Sequence, residues 1–252
     1  MSSEWDAYAP FYDWENARTF GRRDIAFWRR VLKREQASTL ELGCGTGRLL
    51  VPLARAGGEV AGIDRSAAML ARAVRRVRRL DPSKRPSVVR GDIRSLPYAA
   101  GRFGLVIAPY GMLQSLTSDR DLDTALAEAA RVLRPGGLFG VDLVPELLTW
   151  RAYRRRVRLR GRNRRGATLT LVESVRHDRR RRLTIFDEEF VERRGRQVTR
   201  RRFSLTFRTL PMKSVLARIE RAGFEIQVVL GDYRGGPWDV RADVWVILAR
   251  RR

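Results

Sequence analysis

The segment Leu40–Arg48, Leu-Glu-Leu-Gly-Cys-Gly-Thr-Gly-Arg, constrains the fold of this chain more than any other feature. It lies between a short apolar run, typical of a buried strand, and an amphipathic run, so we predict a strand–loop–helix junction. Gly43, Gly45 and Gly47 allow positive φ angles and leave no Cβ between the backbone and a ligand. We therefore expect a flat ligand to lie against this loop and the first turn of the following helix, with the Glu41 carboxylate facing the same crevice.

An acid followed by G-x-G-x-G resembles motif I of the class I S-adenosylmethionine-dependent methyltransferases. The nearest alternative is a nicotinamide or flavin site, whose G-x-G-x-x-G places the third glycine one residue later, where this chain has Arg48. S-adenosylmethionine has no phosphate and carries an amino-acid end and a sulfonium, and an acid before the glycines suits its positive charge. The resemblance implies that the motif binds this cofactor through Glu41, Gly43, Cys44, Gly45 and Gly47.

Two further acids follow at the sequence positions that such a fold requires. Asp64 ends the predicted second strand about twenty residues after the glycine loop, where a carboxylate takes the ribose hydroxyls. Ser66 is predicted to cap the next helix. Gly91-Asp92-Ile93 resembles the family's adenine-binding turn, in which Asp92 accepts the adenine amino protons and the Ile93 amide faces a ring nitrogen. The resemblance adds these cofactor contacts: Arg65, Met69 and Ala108.

The rest of the chain follows the resemblance in order. Phe103–Ala108 is a continuous apolar run, typical of a central parallel strand, and an Arg-Pro-Gly-Gly turn stops the amphipathic helix Asp121–Leu133. The implied fold class is α/β: a Rossmann-like, doubly wound seven-stranded sheet in the order 3-2-1-4-5-7-6, with the last strand antiparallel and an antiparallel β cap inserted after strand 5. The remaining predicted elements are a strand at 138–143, a helix at 211–222 and strands at 225–230 and 244–248.

We predict three parts: an N-terminal lid and helix (1–35), a methyltransferase core (36–145 and 210–252) and an antiparallel β cap over the substrate site (146–209). The cap segment contains runs typical of strands, and Phe203, Leu205 and Phe207 alternate onto one face. Two hairpins or a three- to four-stranded sheet fit this pattern. We expect an apolar face toward the active site and an arginine face outward.

The N-terminal segment is rich in aromatic residues. Tyr8-Ala9-Pro10-Phe11-Tyr12-Asp13 resembles the lid of small-molecule methyltransferases, so Tyr8 and Tyr12 are predicted cofactor contacts. A lid excludes water and aligns the reacting atoms, which supplies much of the rate of methyl transfer. Trp5 and Phe11 are expected only to hold the first helix against the sheet. Arg22 is a candidate for the cofactor carboxylate.

The formal charge of +24 raises the alternative of a nucleic-acid substrate. Arginine supplies 49 of the 52 basic residues, and residues 151–202 hold 20 arginines against 6 acids. Such a surface attracts polyanions in a salt-dependent way, although surface charge does not report the reaction. The alternatives are therefore an RNA (tRNA or rRNA) methyltransferase, or a cofactor-binding protein without catalysis.

Two motifs count against a nucleic-acid substrate. Ala108-Pro109-Tyr110-Gly111 lacks the Asn or Asp that base-amine methyltransferases carry, and three lysines cannot supply the set of ribose methyltransferases. A small-molecule acceptor is favoured, with methylation on oxygen or nitrogen. The candidate catalytic residues are Tyr12, Tyr110 and Gln114. Ser115 replaces a histidine of some relatives, and His177 is a weaker candidate base.

One cysteine excludes an intramolecular disulfide, and one cysteine with one histidine makes a metal site improbable. No apolar run approaches the length that spans a membrane, so we predict a cytoplasmic protein that does not interact with membranes. The predicted partners are S-adenosylmethionine, released as S-adenosylhomocysteine, and the small-molecule substrate. We expect a monomer or a homodimer.

Overall fold

The computed structural model describes residues 2–19, 23–145, 152–163, 165–239, 242 and 244–252. The predicted cofactor contact Arg22 lies outside these residues. The helices are α1 Ser2–Thr19, α2 Arg23–Glu35, α3 Leu50–Arg55, α4 Ala67–Val77, α5 Asp119–Val132 and α6 Met212–Arg221. The strands are β1 Thr39–Leu42, β2 Val60–Asp64, β3 Ser87–Arg90, β4 Phe103–Ala108, β5 Leu133–Leu143, β6 Tyr153–Arg162, β7 Thr168–Asp178, β8 Leu183–Arg194, β9 Gln197–Arg208, β10 Phe224–Leu230 and β11 Trp245–Arg251.

The larger sheet has seven strands in the order β10-β11-β5-β4-β1-β2-β3. Strands β3, β2, β1, β4 and β5 are parallel, and β11 pairs antiparallel with both β5 and β10. When the inserted strands are left out of the count, this is the predicted order 3-2-1-4-5-7-6, which is confirmed. Every residue of β1 and β4 is buried, as expected for central strands covered on both faces.

Helices cover both faces of this sheet. Leu122 and Leu126 of α5 and Ile219 of α6 pack in the core on one face, and Trp28 of α2 packs with Leu50 of α3 on the other. Helix α4 begins as predicted, since the Ser66 hydroxyl accepts a hydrogen bond from the Met69 amide at 3.1 Å. The three layers place the carboxyl ends of β1, β2 and β4 at one edge, where ligands bind in folds of this type.

The second sheet, which we name the cap, consists of β6-β7-β8-β9 and is entirely antiparallel. It follows β5, as predicted, and has four strands. Strand β6 was not predicted, because its sequence Tyr-Arg-Arg-Arg-Val-Arg-Leu-Arg-Gly-Arg carries little apolar alternation, and the strand is mostly exposed. Its pairing with β7 holds it in the sheet.

Helix α1 connects the cap to the larger sheet. The Phe11 ring stacks on Phe190 of the cap with centroids 4.4 Å apart. On the other side, Asp6 Oδ1 accepts a hydrogen bond from the Ser66 hydroxyl at 2.6 Å, and Asp13 Oδ1 accepts one from the Thr46 hydroxyl at 2.7 Å. Phe11 was expected to pack on the main sheet; it packs on the cap, whose inner face offers a cluster of aromatic rings.

Candidate functional site

A cavity of about 1440 Å³ lies between the edge of the larger sheet, helix α1 and the inner face of the cap. Ligands of open α/β sheets bind outside the carboxyl ends of the strands, which is where this cavity begins. The cavity wall on the side of the larger sheet, which we name the loop wall, includes Gly43, Gly45, Asp64, Arg65, Met69, Asp92, Ile93 and Tyr110. The opposite wall, which we name the cap wall, includes Tyr8, Glu15, Leu171, Glu173, Phe186, Glu188, Leu205 and Phe207.

The glycine loop has the backbone that the sequence predicted. Gly43, Gly45 and Gly47 have φ angles of +66°, +53° and +74°. The Gly45 amide donates to Asp64 Oδ2 at 2.9 Å, which holds the loop against the end of β2. A Cβ on Gly47 would lie 3.3 Å from the Ala73 Cβ of α4, so this glycine allows close helix packing and does not line the cavity.

Glu41 is buried behind the loop wall. Its Oε2 has no hydrogen-bond partner among the described residues. Burial raises the pKa of Glu41 to about 8, although nearby Arg48 opposes the shift. Cys44 and Ala108 are also buried, and none of the three is among the residues that line the cavity. Their cofactor roles stay predictions.

Asp64 and Asp92 line the cavity but already have protein partners. Asp64 Oδ1 accepts from the Ser66 amide at 2.8 Å, and burial raises the pKa of Asp64. Arg94 binds Asp92 through two nitrogens, at 3.0 Å and 2.6 Å, and this holds the pKa of Asp92 below its usual range. Asp92 is therefore ionised near neutral pH and can accept hydrogen bonds. Arg65, Met69 and Ile93 also line the cavity.

Two of the three candidate catalytic residues are tyrosines at the cavity. Tyr12 and Tyr110 line it, and burial raises the pKa of Tyr12 to about 12 and the pKa of Tyr110 above its usual range. The Arg48 guanidinium lies 4.7 Å from the centroid of the Tyr110 ring and pairs with Asp24. Both phenols stay protonated near neutral pH, so they are hydrogen-bond donors and not bases.

Gln114, the third candidate, bonds to the backbone through both ends of its amide. Its Nε2 donates to the Val144 carbonyl at 3.1 Å, and its Oε1 accepts from the Val144 amide at 2.8 Å. These contacts tie the 3-10 turn Met112–Ser115 to the end of β5. Gln114 lines the cavity, but its hydrogen bonds are those of a residue that positions the neighbouring backbone. A catalytic role for it stays a prediction.

Asp142 is a site residue that sequence analysis missed. Its Oδ1 accepts from the Tyr110 amide at 2.5 Å and the Gly111 amide at 3.2 Å, and its Oδ2 accepts from Trp28 Nε1 at 3.1 Å. These bonds hold Tyr110 at a φ of +65°, a region that costs energy for a residue with a side chain. Burial raises the pKa of Asp142 to about 6. The available signal was an acid within the apolar run of β5.

The acids of the cap wall were also missed. Glu173 and Glu188 lie in the apolar phase of β7 and β8, between inward-facing leucine, valine and phenylalanine residues. The predicted inner face of the cap was apolar, and the structure corrects this. An acid in the core phase of two strands was the signal in the sequence, since such positions are apolar unless function requires otherwise.

The other residues singled out in the sequence have different surroundings. Ser115 lines the cavity and donates its hydroxyl hydrogen to the Met112 carbonyl at 2.8 Å. His177 Nδ1 lies 3.2 Å from the Thr184 hydroxyl on the neighbouring strand, and His177 is not among the residues that line the cavity. The described part of the chain contains no cluster of three residues suited to a metal ion and no helix long and apolar enough to cross a membrane.

Comparison with known proteins agrees with this architecture. Residues 39–137 match the family model described as a methyltransferase domain. Over 140 residues the chain is 34% identical to the 2-phytyl-1,4-naphtoquinone methyltransferase of Synechococcus elongatus, covering 52% of this chain and 58% of that protein. The fold of the present chain is similar to that of the CcbJ methyltransferase from Streptomyces caelestis. The TM-score is 0.80, with 22% identity over 97% of this chain and 96% of that one.

A second solved structure with this fold is CalS10 from Micromonospora echinaspora, an amino pentose methyltransferase solved with S-adenosylmethionine bound. Its TM-score is 0.74, with 21% identity over 96% of this chain and 95% of that one. The sequence match to the curated relative spans only 58% of that relative's length, and the match to the family model, which ends at residue 137, does not reach the cap. The two solved structures extend the likeness of fold over nearly the whole chain.

Proposed function

We propose that this chain, which belongs to the class I S-adenosylmethionine-dependent methyltransferases, transfers a methyl group from S-adenosylmethionine to oxygen or nitrogen of a small molecule. The observation that carries the proposal is the single cavity between the loop wall and the cap wall. Gly43, Gly45 and Asp64 line it on one side and the cap strands on the other. A donor bound at the first wall would therefore face an acceptor held at the second.

The polar groups of the loop wall, and of Glu41 behind it, fit the chemistry of S-adenosylmethionine. Behind this wall, Glu41 Oε2 has no hydrogen-bond partner among the described residues. Gly45 exposes backbone to the cavity without a Cβ, and the ionised Asp92 supplies an acceptor in the same cavity. Asp64 and Asp92 would hold the ribose and adenine, and a positively charged end of the ligand would favour ionisation of Glu41, whose pKa is raised to about 8. The bound cofactor supplies an electrophilic methyl group on its sulfonium.

The residues of the chain then position the acceptor and exclude water. Helix α1, held by Asp6 and Asp13, covers the cavity beside the glycine loop. Tyr12 and Tyr110 line the cavity, where aromatic rings would stabilise a sulfonium and phenol hydroxyls would orient an acceptor. Methyl transfer is an in-line displacement, so this alignment supplies much of the rate. An amine acceptor needs only to be neutral, whereas a hydroxyl needs a proton acceptor.

Calorimetry with S-adenosylmethionine and S-adenosylhomocysteine tests the donor site, followed by measurement of S-adenosylhomocysteine formed with a panel of hydroxyl- and amine-bearing small molecules. We expect binding of both cofactor forms and turnover with members of the panel. Asp64→Ala should weaken cofactor binding, because it removes the acceptor that holds Gly45. A folded protein with no affinity for either cofactor form would disprove the proposal.

The exposed arginines of β6 and β9 support RNA as a second candidate acceptor. The same assay with tRNA and rRNA separates the two acceptors. RNA binding that weakens steeply with salt but yields no methyl incorporation would identify the arginine face as a nonspecific polyanion surface.

A further inference from the structure

The cap wall carries an acidic pair at an energetically costly place. Glu173 of β7 and Glu188 of β8 are directly opposite each other in the antiparallel register. Both are buried, and both line the cavity. Like charges directly opposite on one face of a sheet destabilise it, and charged side chains are seldom fully buried without a partner. Glu15 of α1 lines the same part of the cavity.

The hydrogen bonds of these carboxylates leave acceptors unused. Glu173 Oε1 accepts from the Tyr153 hydroxyl and pairs with Arg158 Nε at 3.1 Å. The Tyr8 hydroxyl donates to Glu15. Glu188 is only 4% exposed, and its Oε2 has no partner among the described residues. The site therefore contains a buried carboxylate oxygen that lacks a donor.

A second buried acceptor in the cavity is also without a donor. Asn16 of α1 is 8% exposed, lines the cavity and donates through Nδ2 to the Tyr12 carbonyl at 2.9 Å. Its Oδ1 has no partner among the described residues. A buried polar atom without a partner costs free energy, so both acceptors indicate a ligand that donates hydrogen bonds.

We propose that Glu15, Glu173 and Glu188 bind a protonated amine of the acceptor, distinct from the neutral oxygen or nitrogen that receives the methyl group, so that the substrate class is a cationic small molecule. This rests on the proposed methyl transfer and names the kind of acceptor that the cap wall selects. An ammonium supplies three donors and a positive charge. Of the three carboxylates, Glu173 pairs with the Arg158 guanidinium, and a cation would improve the charge balance of the wall.

The charges of the surrounding groups support a cation. Burial and the repulsion between Glu15, Glu173 and Glu188 raise the pKa of Glu15 and of Glu188, while Arg158 opposes the shift at Glu15. The phenols of Tyr8 and Tyr153 also face the cluster, through their hydrogen bonds to Glu15 and Glu173. An ammonium entering this site favours the ionised carboxylates, so binding should release protons. A neutral polyol has no such effect.

The test uses a matched pair of probes, trans-2-aminocyclohexanol and trans-1,2-cyclohexanediol, which differ by an ammonium in place of a hydroxyl. Each is titrated by calorimetry into the protein loaded with S-adenosylhomocysteine, in two buffers of different ionisation enthalpy. We expect the amine to bind at least about tenfold more tightly than the diol, as charge-assisted bonds allow. We also expect proton release with the amine alone.

Glu188→Gln should reduce the preference for the amine to about threefold or less, because it removes one charge of the site. The variant should be at least as resistant to unfolding as the parent protein, since it relieves the repulsion with Glu173. Glu189→Gln is the matched control. Glu189 is the next residue on β8, is paired with Arg155 and Arg202, and is absent from the cavity lining. It should keep the amine preference.

The proposal is overturned if the diol binds as tightly as the amine, if the amine does not bind, or if the preference survives in the Glu173→Gln/Glu188→Gln double variant. Failure of the proposed methyl transfer is a separate result, because it appears as absent binding of S-adenosylhomocysteine. The two probes can also be titrated into the protein without S-adenosylhomocysteine. The ratio of their affinities then still shows whether the cap wall prefers a cation.

Discussion

The two walls of the cavity are built in different ways. The loop wall is formed by backbone at positive φ and by Asp64, whose bonds are completed by main-chain amides. The cap wall is formed by side chains of antiparallel strands and of α1, and in it Glu188 Oε2 has no hydrogen-bond partner among the described residues. A main-chain site suits a ligand that is the same throughout a family, whereas side chains on a sheet change their chemistry by single substitutions. The proposed donor wall therefore depends mainly on backbone conformation, and the proposed acceptor wall depends on individual side chains.

The largest expected effect tests whether the cap wall is a separately stable unit. Phe190→Ala removes the ring that stacks on Phe11 and should lower the free energy of unfolding by about 3–5 kcal/mol. Hydrogen exchange should increase in α1 and in the strands β7 to β9. In Phe224→Ala, the matched control, exchange should increase instead around β10 and β5, because Phe224 packs on Phe139. Equal increases in both regions in both variants would contradict a division into two units.

The second prediction concerns the backbone of the loop wall. Gly45→Val introduces a β-branched side chain at a φ of +53°, next to the bond to Asp64, and should weaken S-adenosylhomocysteine binding about 100-fold, ~2.7 kcal/mol. Gly195→Val is the control, since its φ is +58° and its position in the β8–β9 turn is open. It carries similar backbone strain. Equal losses of cofactor affinity in the two variants would show that only general destabilisation was measured.

The third prediction uses the buried acid behind the loop wall. The pKa of Glu41 is raised from 4.5 to about 8, so between these values the folded state binds more protons than the unfolded chain. The free energy of unfolding therefore falls as pH rises through this window. Glu41→Gln should remove the contribution of Glu41 to this slope, leaving those of other buried acids such as Glu15 and Asp142, and should increase stability by about 2 kcal/mol at the alkaline end. Denaturant titrations across the window measure it, and an unchanged slope would contradict the assignment.

The smallest expected effect concerns the contact between α1 and the loop wall. Asp6→Asn weakens its bonds to the Ser66 hydroxyl and the Ala68 amide and should cost about 1 kcal/mol of stability. Because α1 also packs on the cap, protease cleavage within α1 should become faster while the cap remains folded. Glu4→Gln, on an exposed position of the same helix, is the control. Unchanged cleavage in Asp6→Asn would show that the cap alone holds α1.

Much of the larger sheet could be predicted because its signals are local. Apolar runs such as Phe103–Ala108, the Ser66 cap and the acid at the end of β2 each depend on neighbours in sequence, and the resemblance orders them. Strand β6 could not be predicted, since an arginine-rich edge strand is stabilised by pairing with β7 and not by its own pattern. The role of Asp142 also depends on distant residues, because its partners are Trp28 and Tyr110.

The sequence by itself determined the loop wall: the positive φ of Gly43 and Gly45 and the acid of β2 follow from residue type and spacing, and the strand order follows from the family resemblance. Only the tertiary structure decided the cap wall. The register of β7 on β8 sets Glu173 against Glu188, and the docking of α1 brings Glu15 beside them. The physical reason is the separation along the chain over which each interaction acts. Backbone conformation and periodicity act over a few residues, whereas the charge of a cavity wall depends on which strands and helices meet across it.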